Sequence, residues 1–74
     1  MGKLPTGISG RLLRTALERA GFVFRRQRGS HMIMRRDDPY ARVVVPDHKE
    51  LRPGTLRQIL READLTVEDL IALL

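Results

Sequence analysis

The stretch Phe22-Val23-Phe24-Arg25-Arg26-Gln27-Arg28-Gly29-Ser30-His31-Met32-Ile33-Met34-Arg35-Arg36 decides the fold. Apolar and polar side chains alternate along it with the period of a half-buried strand, and the alternation breaks at Arg28-Gly29. Glycine takes a positive φ at low steric cost, so Gly29 predicts a tight hairpin turn that sets His31 at the start of a second strand over 30–36. On the first strand Phe22 and Phe24 share one face, while Val23, Arg25 and Gln27 share the other. On the second, Met32 and Met34 share a face, and His31, Ile33 and Arg35 share the opposite one. A cleaved affinity tag leaves the same tetrapeptide as Gly29–Met32, but at residue 1; here a helix and a strand precede it, so the match is coincidental.

Moving outward, Asp37-Asp38-Pro39-Tyr40 reads as a second turn, and Ala41–Val45 as a third strand that ends at Pro46, a residue unable to donate to a ladder. Three strands joined by short loops predict an antiparallel meander. Upstream, Ser9 is a helix N-cap, and Leu12, Leu13, Ala16, Leu17 and Ala20 form one apolar stripe. Ile8 is placed to staple onto Leu13, and Gly21 supplies the stop. Downstream, Pro53 opens a helix with Leu56, Ile59, Leu60 and Ala63 on its apolar face. Thr66 and Asp69 then form a capping box for a last short helix whose Leu70, Ile71 and Leu74 are expected to close the core. Residues 1–8, with Pro5 and Gly7, read as a loosely held arm. The sum is one domain over 1–74 of the α+β class, a three-stranded sheet with helices on one face and the other face open.

A chain of 74 residues buries only about 60% of its unfolded surface, which leaves no room for a deep substrate cavity. There are no cysteines, so disulfides and thiolate metal sites are excluded. No apolar run approaches the ~20 residues of a membrane span, and a cytoplasmic location is expected. Met1, Gly2 and Thr6 fit a short myristoylation pattern that needs a eukaryotic setting. Residues 1–36 carry nine basic residues against Glu18, a net +8, and residues 37–74 carry five against eight acids, a net −3, which together give the overall +5. A basic front half points to a polyanion, since neutralising phosphates releases counterions. Twelve of the fourteen bases are arginine, the side chain suited to bidentate phosphate contacts.

His31 and His48 are the only side chains of a type that titrates near neutrality when unperturbed. His31 is the stronger catalytic candidate because Arg25, Arg26, Arg28, Arg35 and Arg36 flank its turn. RNA cleavage proceeds when a ribose 2′-hydroxyl attacks the adjacent phosphate, a step that a placed histidine assists as general acid or base and that arginines assist by holding the charge. Ser30 is placed to orient the ring. Asp37-Asp38 is more simply a turn than a metal site, and Pro53-Gly54-Thr55 lacks the spacing of a phosphate-binding loop.

Gly21-Phe22, Gly29-Ser30-His31, Val43-Val44-Val45-Pro46-Asp47-His48 and Leu51-Arg52-Pro53-Gly54-Thr55-Leu56-Arg57-Gln58-Ile59-Leu60 together resemble the HicA-type toxins, small mRNA interferases of bacterial and archaeal toxin–antitoxin pairs. The resemblance implies a double-stranded-RNA-binding-domain-like fold in the order α-β-β-β-α-α, cleavage of mRNA, and neutralisation by a HicB-type antitoxin that covers the site. It assigns the catalytic histidine to His31 and matches His48 to a second recurrent histidine, for which phosphate contact and loop structure are both open. It implies no metal and no cofactor. Two positions depart from the family pattern: Asp64 stands where glycine is common, and Met34 where an aromatic residue is frequent.

The leading expectation is therefore an endoribonuclease with catalytic His31 and RNA-binding Arg25, Arg26, Arg28, Ser30, Arg35, Arg36 and His48. Two rivals differ in class: a noncatalytic RNA-binding module on the same basic sheet, which charge and pattern alone favour, and a pure protein-interaction domain.

Overall fold

A computed structural model describes residues 3–74; Met1 and Gly2, and with them the start of the myristoylation pattern, lie outside the described residues. The elements run α1 (Gly10–Arg19), β1 (Val23–Arg28), β2 (His31–Asp37), β3 (Tyr40–Pro46), α2 (Pro53–Glu62) and α3 (Val67–Leu73). The strands form one antiparallel sheet in the order β1-β2-β3. This is the α-β-β-β-α-α, double-stranded-RNA-binding-domain-like α+β fold that the sequence leads one to expect. Among the described residues no helix is long and apolar enough to cross a membrane.

Local chemistry sets each boundary. The Ser9 hydroxyl accepts from the Leu12 amide at 3.0 Å and caps α1. Gly21, at φ +97°, ends it in a Schellman turn: the Phe22 amide bonds the Leu17 carbonyl and the Gly21 amide bonds that of Glu18. The same turn ends α2, with Leu65 N–H to the Leu60 carbonyl and Asp64 N–H to that of Arg61. There the left-handed position is filled by Asp64 at φ +59°, where a side chain is strained. Thr66 and Asp69 complete the capping box of α3 in both directions.

The core lies between the helices and one sheet face. Met32, Met34, Val43 and Val45 of the sheet are buried with Leu13, Leu17, Leu56, Leu60 and Leu70 of the helices. Each such side chain contributes roughly 1.5–3 kcal/mol relative to an exposed one. Four expectations need correction. Residues 1–8 are not a loose arm as far as they are described: Leu4 and Ile8 are buried, and the Ile8 carbonyl accepts from the Leu51 amide at 2.8 Å. Ile71 and Leu74 do not close the core, being 50% and 43% exposed, because α3 is short and turns only Leu70 fully inward. Leu12 is exposed at the edge of the α1 stripe. Phe24 is only half-buried; the Arg14 guanidinium lies 3.9 Å over its ring.

The alternation of β1 is also interrupted. Phe24 pairs with Met34 and Arg26 with Ile33, so Arg25 is an extra residue, a β-bulge. Beyond it the faces exchange. Gln27 pairs with buried Met32, while Arg26 and Arg28 pair with Ile33 and His31 on the face away from the helices.

Candidate active site and nucleic-acid interface

His31 opens β2 directly after a two-residue turn, with Gly29 at φ +58° in the first central position, as such hairpins favour. It stands opposite Arg28 on β1 and Pro46 on β3. Residues directly opposite share a face with Cβ atoms about 5 Å apart, so His31 has an arginine as its cross-strand neighbour. That neighbour is a product of the bulge; unbroken alternation would have turned Arg28 toward the helices. His31 is exposed, and its neighbour in sequence, Met32, is buried on the opposite face.

Five contacts hold the turn. The Asp47 amide donates to the Ser30 carbonyl at 2.7 Å. Gln27 Nε2 donates to the Gly29 carbonyl at 2.9 Å and to Asp47 Oδ2 at 3.2 Å. Arg11, from the first turn of α1, donates through Nε and Nη2 to the two Asp47 oxygens at 3.1 and 3.3 Å. The Asp47 side chain is 19% exposed while that of Arg11 is 79% exposed. The hydrogen bond from Arg11 is the main force holding the Asp47 carboxyl below its usual range; partial desolvation opposes it, and the Gln27 bond, the Arg11 charge and His48 reinforce it. Arg11 is raised in turn, by the same hydrogen bond and then by the Asp47 charge. An exposed pair of this kind adds little stability, so its consequence is geometric: it ties α1 and the end of β3 to the turn that carries His31.

The other expected site residues separate into groups. Arg25, Arg26 and Arg35 line one concavity on the open face, together with Ile33, Tyr40 and Arg42. Arg28 is on the same face beside His31. Ser30 is at the turn, where its backbone carbonyl is engaged, but it makes no hydrogen bond to His31. His48 lies at the same end of the sheet, two residues past Pro46; its carbonyl accepts from the Gly10 amide at 2.9 Å, and its exposed side chain borders Ser9, Arg11, Asp47 and Lys49. Arg36 does not join them. It falls on the helix side, donating to the Ala63 carbonyl at 3.2 Å and the Pro39 carbonyl at 2.9 Å, with its guanidinium 4.7 Å over the Phe22 ring.

Arg42 and Tyr40 also belong to the open face, although neither is among the site residues expected from the sequence. The signal was present: Ala41, Val43 and Val45 point into the core, so Tyr40 and Arg42 point away from it. Gln27, Asp47 and Arg11 carry no local signal, because their meeting depends on the bulge and on where α1 docks. Among the described residues no group of three His, Cys, Asp or Glu side chains gathers to hold a metal ion.

No curated protein matches the chain at a significant level. A family model described as "HicA toxin of bacterial toxin-antitoxin" matches residues 10–65, a span that contains α1, the whole sheet, His31, His48 and α2. The chain belongs to the HicA toxin family of bacterial toxin–antitoxin systems.

Proposed function

We propose that the chain is the toxin of a pair in which it cleaves mRNA, with His31 as the general acid/base and Arg25, Arg26, Arg28 and Arg35 holding the RNA backbone. The observation that carries this reading is the cross-strand pairing of His31 with Arg28 on an open, arginine-lined sheet face. In this account His31 takes the proton of a ribose 2′-hydroxyl as that oxygen attacks the adjacent phosphorus. The bond from phosphorus to the 5′ oxygen breaks, and the leaving oxygen is protonated by the water that reaches this exposed face. Arg28, as the cross-strand neighbour of His31, is assigned the charge that accumulates on the phosphoryl oxygens. A HicB-type antitoxin neutralises the toxin by covering the same face.

One observation favours a second reading, a noncatalytic RNA-binding module. No side chain among the described residues hydrogen-bonds the exposed His31 ring. Incubation of the purified protein with end-labelled RNA in the presence of a chelator separates the two. The nuclease reading expects discrete products that accumulate with time and vanish on addition of the antitoxin. Salt-sensitive retention of RNA without product, even at high protein, contradicts it and supports the binding module.

A further inference from the structure

The geometry points to a second nucleotide subsite at the Tyr40 end of the open sheet face, which takes an unpaired base on the Tyr40 ring and the neighbouring phosphate on Arg25 and Arg42. The inference rests on the reading of this face as an RNA surface and adds where, and in what form, the strand is held.

Four observations converge. Tyr40 is 67% exposed, the most exposed large hydrophobic side chain among the described residues, and it borders the concavity. Ile33 forms part of the lining and is buried although it lies outside the main core, so the concavity has an apolar floor. Arg25, Arg26, Arg35 and Arg42 complete the lining. Of these only Arg35 has an acidic partner among the described residues, Asp37 at 2.9 Å, which leaves three guanidinium groups uncompensated in one hollow.

A solvated basic surface does not account for this arrangement. Arg35 and Arg42 are directly opposite on adjacent strands, a like-charge pairing that costs stability, and the bulge at Arg25 turns Arg26, which unbroken alternation would have sent toward the helices, onto the same open face. The folded chain thus carries a repulsion that a bound anion relieves. Guanidinium forks match phosphate oxygens, and an accessible phenol ring beside them matches the face of a base. Base faces are available for stacking in single strands and are hidden in duplexes, so the ligand is single-stranded RNA. Along β2 the Asp37–Tyr40 pair lies six residues from His31, about 20 Å at the rise of a strand, so the subsite engages nucleotides several positions from the one at His31.

The test measures binding in a His31→Ala background, so it proceeds whether or not the wild type cleaves RNA. The probes are a fluorescent single-stranded oligonucleotide long enough to span the sheet and a hairpin duplex of the same composition. Tyr40→Ala is expected to raise Kd for the single strand about tenfold and to leave the duplex almost unchanged, while Tyr40→Phe, which keeps the ring, binds as its parent does. Equal affinity of Tyr40→Ala and its parent for the single strand overturns the subsite, as does an equal loss for strand and duplex. Weakening of the antitoxin complex alone, with RNA affinity intact, also overturns it and assigns the hollow to the protein partner. Failure of the nuclease reading shows separately, as absence of product with the wild type.

Discussion

Arg36 Nη2 donates to the Ala63 carbonyl at 3.2 Å, joining β2 to the C-terminus of α2 from the helix side of the sheet. Arg42 lies on the other side, in the open hollow. The two arginines are therefore expected to fail in opposite ways. Arg36→Gln should lose about 1 kcal/mol, a fall of roughly 4–8 °C in Tm, and keep its RNA affinity. Arg42→Gln should melt like the wild type and bind RNA more weakly, with the slope of log Kd against log salt reduced by about one. Thermal melts and salt titrations of both variants check this.

Gly10 is the point where α1 meets the end of β3. A Cβ there would overlap the Pro46 carbonyl oxygen, a backbone atom that cannot swing away, and the Gly10 amide is bonded to the His48 carbonyl. Gly10→Ala is expected to cost about 2–3 kcal/mol. Gly54 in α2 has nothing within 4 Å of the same added atom, so Gly54→Ala should be neutral or stabilising by up to about 1 kcal/mol. The urea midpoints of the two variants should move in opposite directions, or only the first should move.

Asp64 at φ +59° occupies the left-handed position of the turn that ends α2. Replacing it with glycine removes the steric penalty at its Cβ, so Asp64→Gly is expected to gain about 0.5–1 kcal/mol, read as a higher Tm with unchanged RNA binding.

The sequence carried the elements because their signals are local. Ser9, Gly21, Pro53 and the Thr66–Asp69 box each fix a boundary by chemistry within a few residues, and the Met32–Met34 alternation fixes the inner face of β2. The same alternation already assigned Arg36 to the inner face; its charge drew it into the expected RNA set. The bulge was hidden for a different reason: Arg25 and Arg26 are identical, so polarity does not register the slip between them. As a result the simple alternation assigns Gln27 to the outer face, whereas it pairs with buried Met32. The anchoring of Leu4 and Ile8 and the Arg11–Asp47–Gln27 contacts depend on docking between distant segments, which no local pattern reports.

Asp47 gives the fold a defined acid response. Its carboxyl is held below the usual range in the folded chain, chiefly by the Arg11 hydrogen bond, so it stabilises the fold at pH values above the unfolded carboxylate value of about 3.9. That contribution is lost as pH falls through the lower folded value. Asp47→Asn should therefore be less stable than the wild type at neutral pH, and the difference should shrink through the carboxylate range and disappear in strong acid. Chemical denaturation at a series of pH values measures it.

His31, delivered by the Gly29–Ser30 turn and faced by Arg28, is the residue on which the proposed cleavage depends. The most direct measurement is the cleavage rate of a labelled RNA by His31→Ala beside its affinity for the same RNA and its Tm. Loss of cleavage by about 10²-fold or more, with affinity and Tm close to the wild type, is the predicted result. Cleavage at the wild-type rate by a folded, RNA-binding His31→Ala protein contradicts it.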